Sequence, residues 1–287
     1  MTSTFTIQPQ GPFSLHSASG HAFGPRTTGL CFAFCVDGFR EHAGVTLRQD
    51  ARGKIHGTVQ GAFDADAVRR QIARILSLDL DGSAWTDVGK RDRVIGRLQQ
   101  RFPAFRPVLH YSPYEAATWS VLVGRRGQKQ AATLRNRIAR EFGETFVLQD
   151  QPFCAFPSPV GLLRLKTMSG ITEKQVRWLR GIAEAALRGE LDPARLREMG
   201  PDQARAHLRR LPGIGEFYSG LIAIRAIGFS DALAAGEPKT LQCVKHYYEL
   251  SRAATERQLE ERAETWRPFR NWAAVLLRRA GYEDGVA

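Results

Sequence analysis

Two stretches hold residues that could do chemistry. The first is the run Leu211-Pro212-Gly213-Ile214-Gly215. Its proline fixes one φ, and its glycines let the backbone turn back sharply and come close to a ligand. A helix that opens after such a turn begins with free N–H groups and a positive dipole end, which is a ready phosphate site. The same five residues also suit a plain turn between two helices with no ligand. The second stretch is the loop from Ser230 to Lys239, with Asp231 early and Glu237 late. A Glu with its reference pKa of ~4.3 is ionised at neutral pH unless burial raises it strongly. In a solvated loop Glu237 would do nothing further. Half-buried, it could stabilise positive charge on a reacting group and help deliver water.

The elements that must position these residues are legible in outline. Pro201 to Arg210 reads as a helix with proline in its first turn, and Phe217 to Ile227 is apolar enough to be a buried helix after the turn. Ser112-Pro113-Tyr114-Glu115, Thr172-Glu173-Lys174-Gln175 and Thr255-Glu256-Arg257-Gln258 are capping-box patterns that open further helices. Gly143 and Gly189 mark helix ends, and Pro268 precedes a last helix with Phe269, Trp272, Leu276 and Leu277. From Ser112 onward the pattern is helical throughout. The first eighty residues differ: Phe5-Thr6-Ile7, Phe13-Ser14-Leu15, Leu30 to Val36, Val45-Thr46-Leu47 and Ile55 to Val59 are short, β-prone and separated by turn residues. Asp64 caps a helix carrying Val68, Ile72, Ile75 and Leu76 on one face. The fold class is therefore α+β, a β-rich N-terminal part (antiparallel sheet with helix) and a helical body. The boundary lies between Asp79 and Pro113, placing the units at 1–111 and 112–287.

Size and charge bound the function. The 287 residues suffice for two units with real cores, and a mean hydropathy of −0.31 describes a soluble globular chain with no membrane partner. The first twelve residues lack a basic segment followed by an apolar one, so an intracellular location is expected. Forty-one Lys and Arg against 29 Asp and Glu give a net charge of +12, which favours a polyanionic partner, nucleic acid before membrane. The four cysteines (Cys31, Cys35, Cys154, Cys243) and seven scattered histidines show neither zinc nor iron–sulfur spacing, so no such cofactor is expected.

Taken together, Leu211 to Gly215, Phe156-Pro157-Ser158-Pro159, Leu179-Arg180-Gly181-Ile182-Ala183 and Trp266-Arg267-Pro268-Phe269-Arg270 resemble the helix-hairpin-helix (HhH-GPD) DNA glycosylases, in their DNA-3-methyladenine glycosylase II (AlkA-like) branch. The likeness extends over most of residues 112–280 and reaches the N-terminal part by domain type only. It implies an all-helical glycosylase body beside the sheet. It implies a hairpin that grips the phosphates of damaged duplex DNA through Leu211, Gly213, Ile214 and Gly215, with a Na+ or K+ ion on its carbonyls as the one expected cofactor. Glu237 falls where the family has its catalytic Asp, one methylene longer. Bifunctional members carry a Lys at the position of Phe217, so the resemblance implies a monofunctional enzyme that removes damaged, alkylated bases and leaves an abasic site. A monomer in a bacterial cytoplasm, at the nucleoid, follows.

The remaining family positions depart from the pattern. Gly124 stands where a Gln fills the gap left by the extruded base, and Arg125 where a wedge residue is expected; Arg125, Arg126 and Lys129 could instead grip phosphates. Base-pocket positions fall on Phe217, Tyr218, Leu221, Trp272 and Arg278. An inward Arg278 would repel a cationic methylated purine, so the pocket is expected to prefer a neutral lesion unless Tyr218 or Trp272 supplies the stacking face. Two rivals follow from these departures: a DNA-binding protein that has kept the hairpin and is catalytically weak or inactive, and a glycosylase for oxidised bases, which Phe217 disfavours.

Overall fold

The computed structural model describes residues 2–19, 30–62, 64–124, 126–234 and 236–286. Four antiparallel strands, β1 (Thr2–Ile7), β2 (Leu30–Cys35), β3 (His42–Gln49) and β4 (Ile55–Gln60), form an N-terminal sheet in the order β1-β4-β3-β2. Every residue of β2 is buried although it ends the sheet. Strand alternation explains this. Phe32 and Phe34 face the N-terminal core with Tyr111, while Cys31 and Ala33 face the other way and are covered by Phe146, Leu148 and Phe153. Those covering side chains belong to a second hairpin, β5 (Glu144–Leu148) and β6 (Gln151–Ala155). The stretch after Ser112 is therefore not helical throughout: the body carries this hairpin, and its Phe146 sits so close to Gly44 that a Cβ there would come within 2.6 Å of the ring.

Helix starts follow the capping signals. Asp64 accepts from the Ala67 N–H, and both Thr172–Gln175 and Thr255–Gln258 form complete reciprocal boxes. At Ser112 only half of the box forms: the hydroxyl accepts from the Glu115 N–H, but the Glu115 carboxylate pairs with Arg135 at 3.1 Å instead. Phe13-Ser14-Leu15 is not a strand. Leu15 opens a short helix (Leu15–Ser19), its N–H donating to Gln49 Oε1 at 2.8 Å.

Beside the cluster under that hairpin, three larger apolar clusters underlie this arrangement. One fills the N-terminal unit, one the central helices, and a third joins Trp85, Ile95 and Leu98 to Trp266, Trp272 and Leu276. Residues 85–101 thus pack on the C-terminal helix (Arg270–Glu283). Among the described residues no helix is long and apolar enough to cross a membrane.

The apolar segment after the Pro-Gly turn is not one uniform helix. It runs as an α-helix over Glu216–Ile222, widens into a π-turn over Ala223–Ile227, and stops at Gly228, whose φ of 89° favours glycine. The last carbonyls of a helix need outside donors. Here four different segments supply them. Asn271 Nδ2 donates to the Ile224 carbonyl (2.9 Å), the His110 N–H to that of Arg225 (2.7 Å), Arg74 to that of Ala226 (2.9 Å) and Arg197 to that of Ile227 (2.7 Å). The π-turn thereby ties the sheet unit, the connecting segment and the C-terminal helix to one point.

Candidate active site and nucleic-acid interface

At the Pro-Gly turn, Leu211 and Ile214 are buried and anchor the loop, and the Ile214 N–H closes it on the Leu211 carbonyl at 3.2 Å. Gly213 has φ +80°, and a Cβ there would meet the Trp178 ring at 2.7 Å, so this position is committed to glycine twice over. Gly215 is an N-cap with no side chain to bond the helix start. The N–H groups of Gly215, Glu216, Phe217 and Tyr218 donate to no described residue, and the carbonyls of Pro212, Gly213 and Ile214 accept from none. The turn thus offers amides to an anion and carbonyl oxygens of the kind that hard cations take. One neighbour works against an anion. Glu216, half exposed in the first turn, pairs with Arg205 and, at 2.8 Å, with Arg209.

Glu237 lies in a narrow cleft beside this hairpin's second helix, with Ile224, Ala234, Thr240, Asn271 and Arg278 among its walls and space of about one water molecule between them. Glu237 is only 7 % exposed. It is the N-cap of the helix Pro238–Tyr247, and its Oε2 accepts from the Thr240 N–H and hydroxyl, both at 2.6 Å. Arg278 Nη1 stands 3.6 Å from the same oxygen. Oε1 receives no hydrogen bond from any described residue. Asp231, the other carboxylate of the loop, is outside the cleft and held by Arg267 and Arg270. Behind the cleft, the half-buried Arg225 of the π-turn donates to the Val108 carbonyl at 3.0 Å; desolvation and the neighbouring Arg278 push its pKa down to about 9, against the opposing pull of Glu237.

The structure separates the expected pocket residues. Arg278 lines the cleft with Glu237. Trp272 does not: it is 1 % exposed, packed edge-on against Trp85 at 5.7 Å and under the Arg106 guanidinium, so its ring has no free face for a base. The reason is its place on the C-terminal helix, one position after Asn271 and thus turned into the third apolar cluster. Phe217 and Tyr218 stack edge-on against each other at 5.3 Å at the start of the hairpin's second helix, and neither they nor Leu221 is among the cleft walls. Arg126 is not a free phosphate cation either. Its guanidinium donates to the carbonyl of Leu122, one turn back, and to the Gly170 carbonyl and Gln175 Oε1, which the helix start at Thr172 turns towards it. Lys129 is exposed, and Arg125 lies outside the described residues.

Asn271 and Thr240 were missing from the sequence reading. Asn271 sits seven residues before Arg278, two turns along one helix face, and that polar spacing within an apolar helix was the available signal. Thr240 follows Glu237 by three, the spacing of an N-cap contact. A second cavity is lined by His110, Tyr111, Glu115, Trp119 and Arg135. Burial, with Arg225 and Arg135 nearby, pushes the His110 pKa down to about 3. Among the described residues no group of three or more His, Cys, Asp or Glu side chains is placed to hold a metal ion.

The fold has counterparts among solved structures. A 3-methyladenine DNA-glycosylase from Archaeoglobus fulgidus superimposes with a TM-score of 0.78 over 98% of both chains at 20% identity. The chain has the fold of the DNA glycosylases. The MBOgg1 protein, solved with a low-affinity DNA ligand, matches with a TM-score of 0.71 at 17% identity over 98% of this chain and 96% of its own. An 8-oxoguanine glycosylase/lyase from Clostridium acetobutylicum, bound to duplex DNA, matches at 0.67 and 12% identity over 100% and 99%. No family model matches the sequence, and no curated protein matches it significantly. Within this glycosylase fold the sheet unit, the hairpin and the Glu237 cleft are all present.

Proposed function

We propose that this protein is a monofunctional DNA glycosylase of base-excision repair, hydrolysing the N-glycosidic bond of damaged, alkylated bases in duplex DNA. One observation carries the reading: Glu237 is buried at a cleft beside the glycine turn, with one oxygen fixed by Thr240 and the other unengaged. Breaking a base–sugar bond builds positive charge on the sugar, and a carboxylate held in a poorly solvated cleft stabilises that charge far better than one in water. The free amides of Gly215 to Tyr218 supply the phosphate grip, and a Na+ or K+ ion on the carbonyls of Gly213 and Ile214 would add positive charge facing the same strand. Phe217 offers no amine for Schiff-base chemistry, so the strand is left uncut and the product is an abasic site. Arg278, 3.6 Å from the carboxylate, favours a lesion that is neutral before it leaves. The protein acts as a monomer on DNA in the cytoplasm.

A second reading rests on the same carboxylate. Every contact on Glu237 falls on Oε2 and serves either the helix cap or Arg278, as expected of a DNA-binding protein that has lost catalysis. Single-turnover excision on a panel of duplexes bearing 7-methylguanine, 3-methyladenine and hypoxanthine, with alkali to reveal abasic sites, separates the two. Release of a base by the wild type and its loss in Glu237→Gln support the enzyme; no release from any lesion, with DNA binding intact, supports the binding protein.

A further inference from the structure

Three cleft residues leave polar atoms without partners, and their hydrogen-bonding characters differ. Asn271 is 1 % exposed, and its Oδ1 is buried without a hydrogen bond. Its orientation is not free: Nδ2 donates to the Ile224 carbonyl, so Oδ1 must be the atom left over. Arg278 has a buried Nε–H with no acceptor, and none of its donors lies within hydrogen-bond distance of a described acceptor. Glu237 Oε1 takes no hydrogen bond from any described residue. The residues that carry these two acceptors and one donor all line a space of about one water molecule, and three such partners are the usual complement of a buried water. Helix geometry puts Asn271 and Arg278 on one face. Asn271 and Arg278 are about 10 Å apart along the axis, and a helical arginine leans back towards the N-terminus over the intervening Ala274.

We propose that Asn271, Arg278 and Glu237 bind a single water and present it as the nucleophile of the glycosylase reaction, an inference that rests on the function proposed above. The water donates to Asn271 Oδ1 and Glu237 Oε1 and accepts from Arg278 Nε–H. That leaves one lone pair for the sugar. In the reaction this oxygen bonds to C1′ while the C1′–N bond breaks and its electron pair departs on the base. The proton released by the water passes to Glu237 and then to solvent. A cationic base leaves neutral; a neutral base leaves as an anion and takes a proton from solvent. Asn271 thus fixes direction, Arg278 favours the hydroxide-like oxygen as it forms, and Thr240 holds the carboxylate still.

Two measurements test this. In a high-resolution crystal structure of the wild-type protein, one water should lie within hydrogen-bond distance of both Asn271 Oδ1 and Arg278 Nε, and Arg278→Met should lose or displace it. A wild-type cleft with no such water overturns the proposal whether or not the protein excises any base. The second measurement is product partition during excision in water–methanol mixtures, reading free sugar against methyl glycoside. The wild type should select water, and Arg278→Met and Asn271→Ala should each raise the methyl glycoside fraction by about fivefold, the discrimination that one hydrogen bond supplies. Arg278→Met leaves the bond to Ile224 intact, so it remains informative if Asn271→Ala fails to fold. A slower variant with unchanged partition assigns these residues a structural role and overturns the nucleophile assignment alone. Absence of any base release by the wild type overturns that assignment together with the glycosylase reading.

Discussion

One segment, Glu216 to Ile227, has two ends that are treated in opposite ways. At its start the N–H groups meet no acceptor among the described residues, the cap is a glycine, and the nearest charges sit on the surface. At its finish every carbonyl from Ile224 to Ile227 is claimed by a donor from a different part of the chain. The free end is built to take a ligand's charge and is screened by salt. The claimed end is built to hold Arg225, Asn271 and hence the Glu237 cleft in fixed relation. The proposed function thus divides binding and chemistry between the ends of a single helix, and a change at one should leave the other largely intact.

The largest expected effect tests the cleft. Glu237→Gln removes the charge and keeps the amide oxygen that can accept from Thr240, so single-turnover base release should fall by about 10²–10³ while DNA affinity and melting temperature hold. Glu237→Ala should also lose the cap, at a cost of about 1 kcal/mol in stability. If Glu237→Gln weakens DNA binding as much as it slows release, the two ends are coupled and the division fails.

The second effect is a pH dependence that includes the claimed end. His110 titrates near 6.5 when unfolded and is held down to about 3 in the fold by burial and by its cationic neighbours. Between those values the unfolded state binds the additional proton. Stability from this group is therefore complete above pH 6.5 and is lost as pH falls, with a slope approaching about 1.4 kcal/mol per unit, or about 2 kcal/mol by pH 5. His42, also lowered by burial, acts in the same direction. Urea melts between pH 7.5 and 5 should show this loss, and His110→Leu should flatten it. An unchanged slope in the variant would mean that another group governs the acid limb.

How far these features were legible in the sequence depended on how local their causes are. Caps at Asp64, Thr172 and Thr255 are contacts over three residues, and each was visible as spelling. The β5–β6 hairpin was not. Its two turn residues, Gln149 and Asp150, both have positive φ (48° and 59°), a geometry normally signalled by Asn-Gly, so the usual marker was missing. Trp272 and Asn271 are adjacent in sequence and face opposite surroundings, a distinction set by which apolar cluster the helix meets. Glu237 was placed by family likeness. Its cap contact with Thr240 is again a spacing of three, whereas its approach to Arg278 arises from tertiary packing, which no spacing along the chain encodes.

At the free end the expected effects are smaller. Gly213→Ala must adopt a left-handed φ and push a methyl against Trp178, which should cost about 1–2 kcal/mol of stability and weaken DNA binding without changing the partition of products in methanol. A full-strength hairpin in this variant would show that Trp178 yields and that the turn is less constrained than its contacts suggest.

The smallest effect isolates electrostatics at the turn. Glu216 places a carboxylate on the dipole end that a phosphate would otherwise use, and it occupies Arg205 and Arg209. Glu216→Gln should free both guanidiniums for phosphate. Affinity for undamaged duplex should rise by a few-fold at low salt, and the slope of log K against log salt should steepen by about one contact. Base release at saturating protein should not change, because the cleft lies at the other end of the helix. If affinity falls instead, Glu216 is holding the arginines in position for the strand and not competing with it, and the free end is then as organised by the protein's own charges as the claimed end is by its hydrogen bonds.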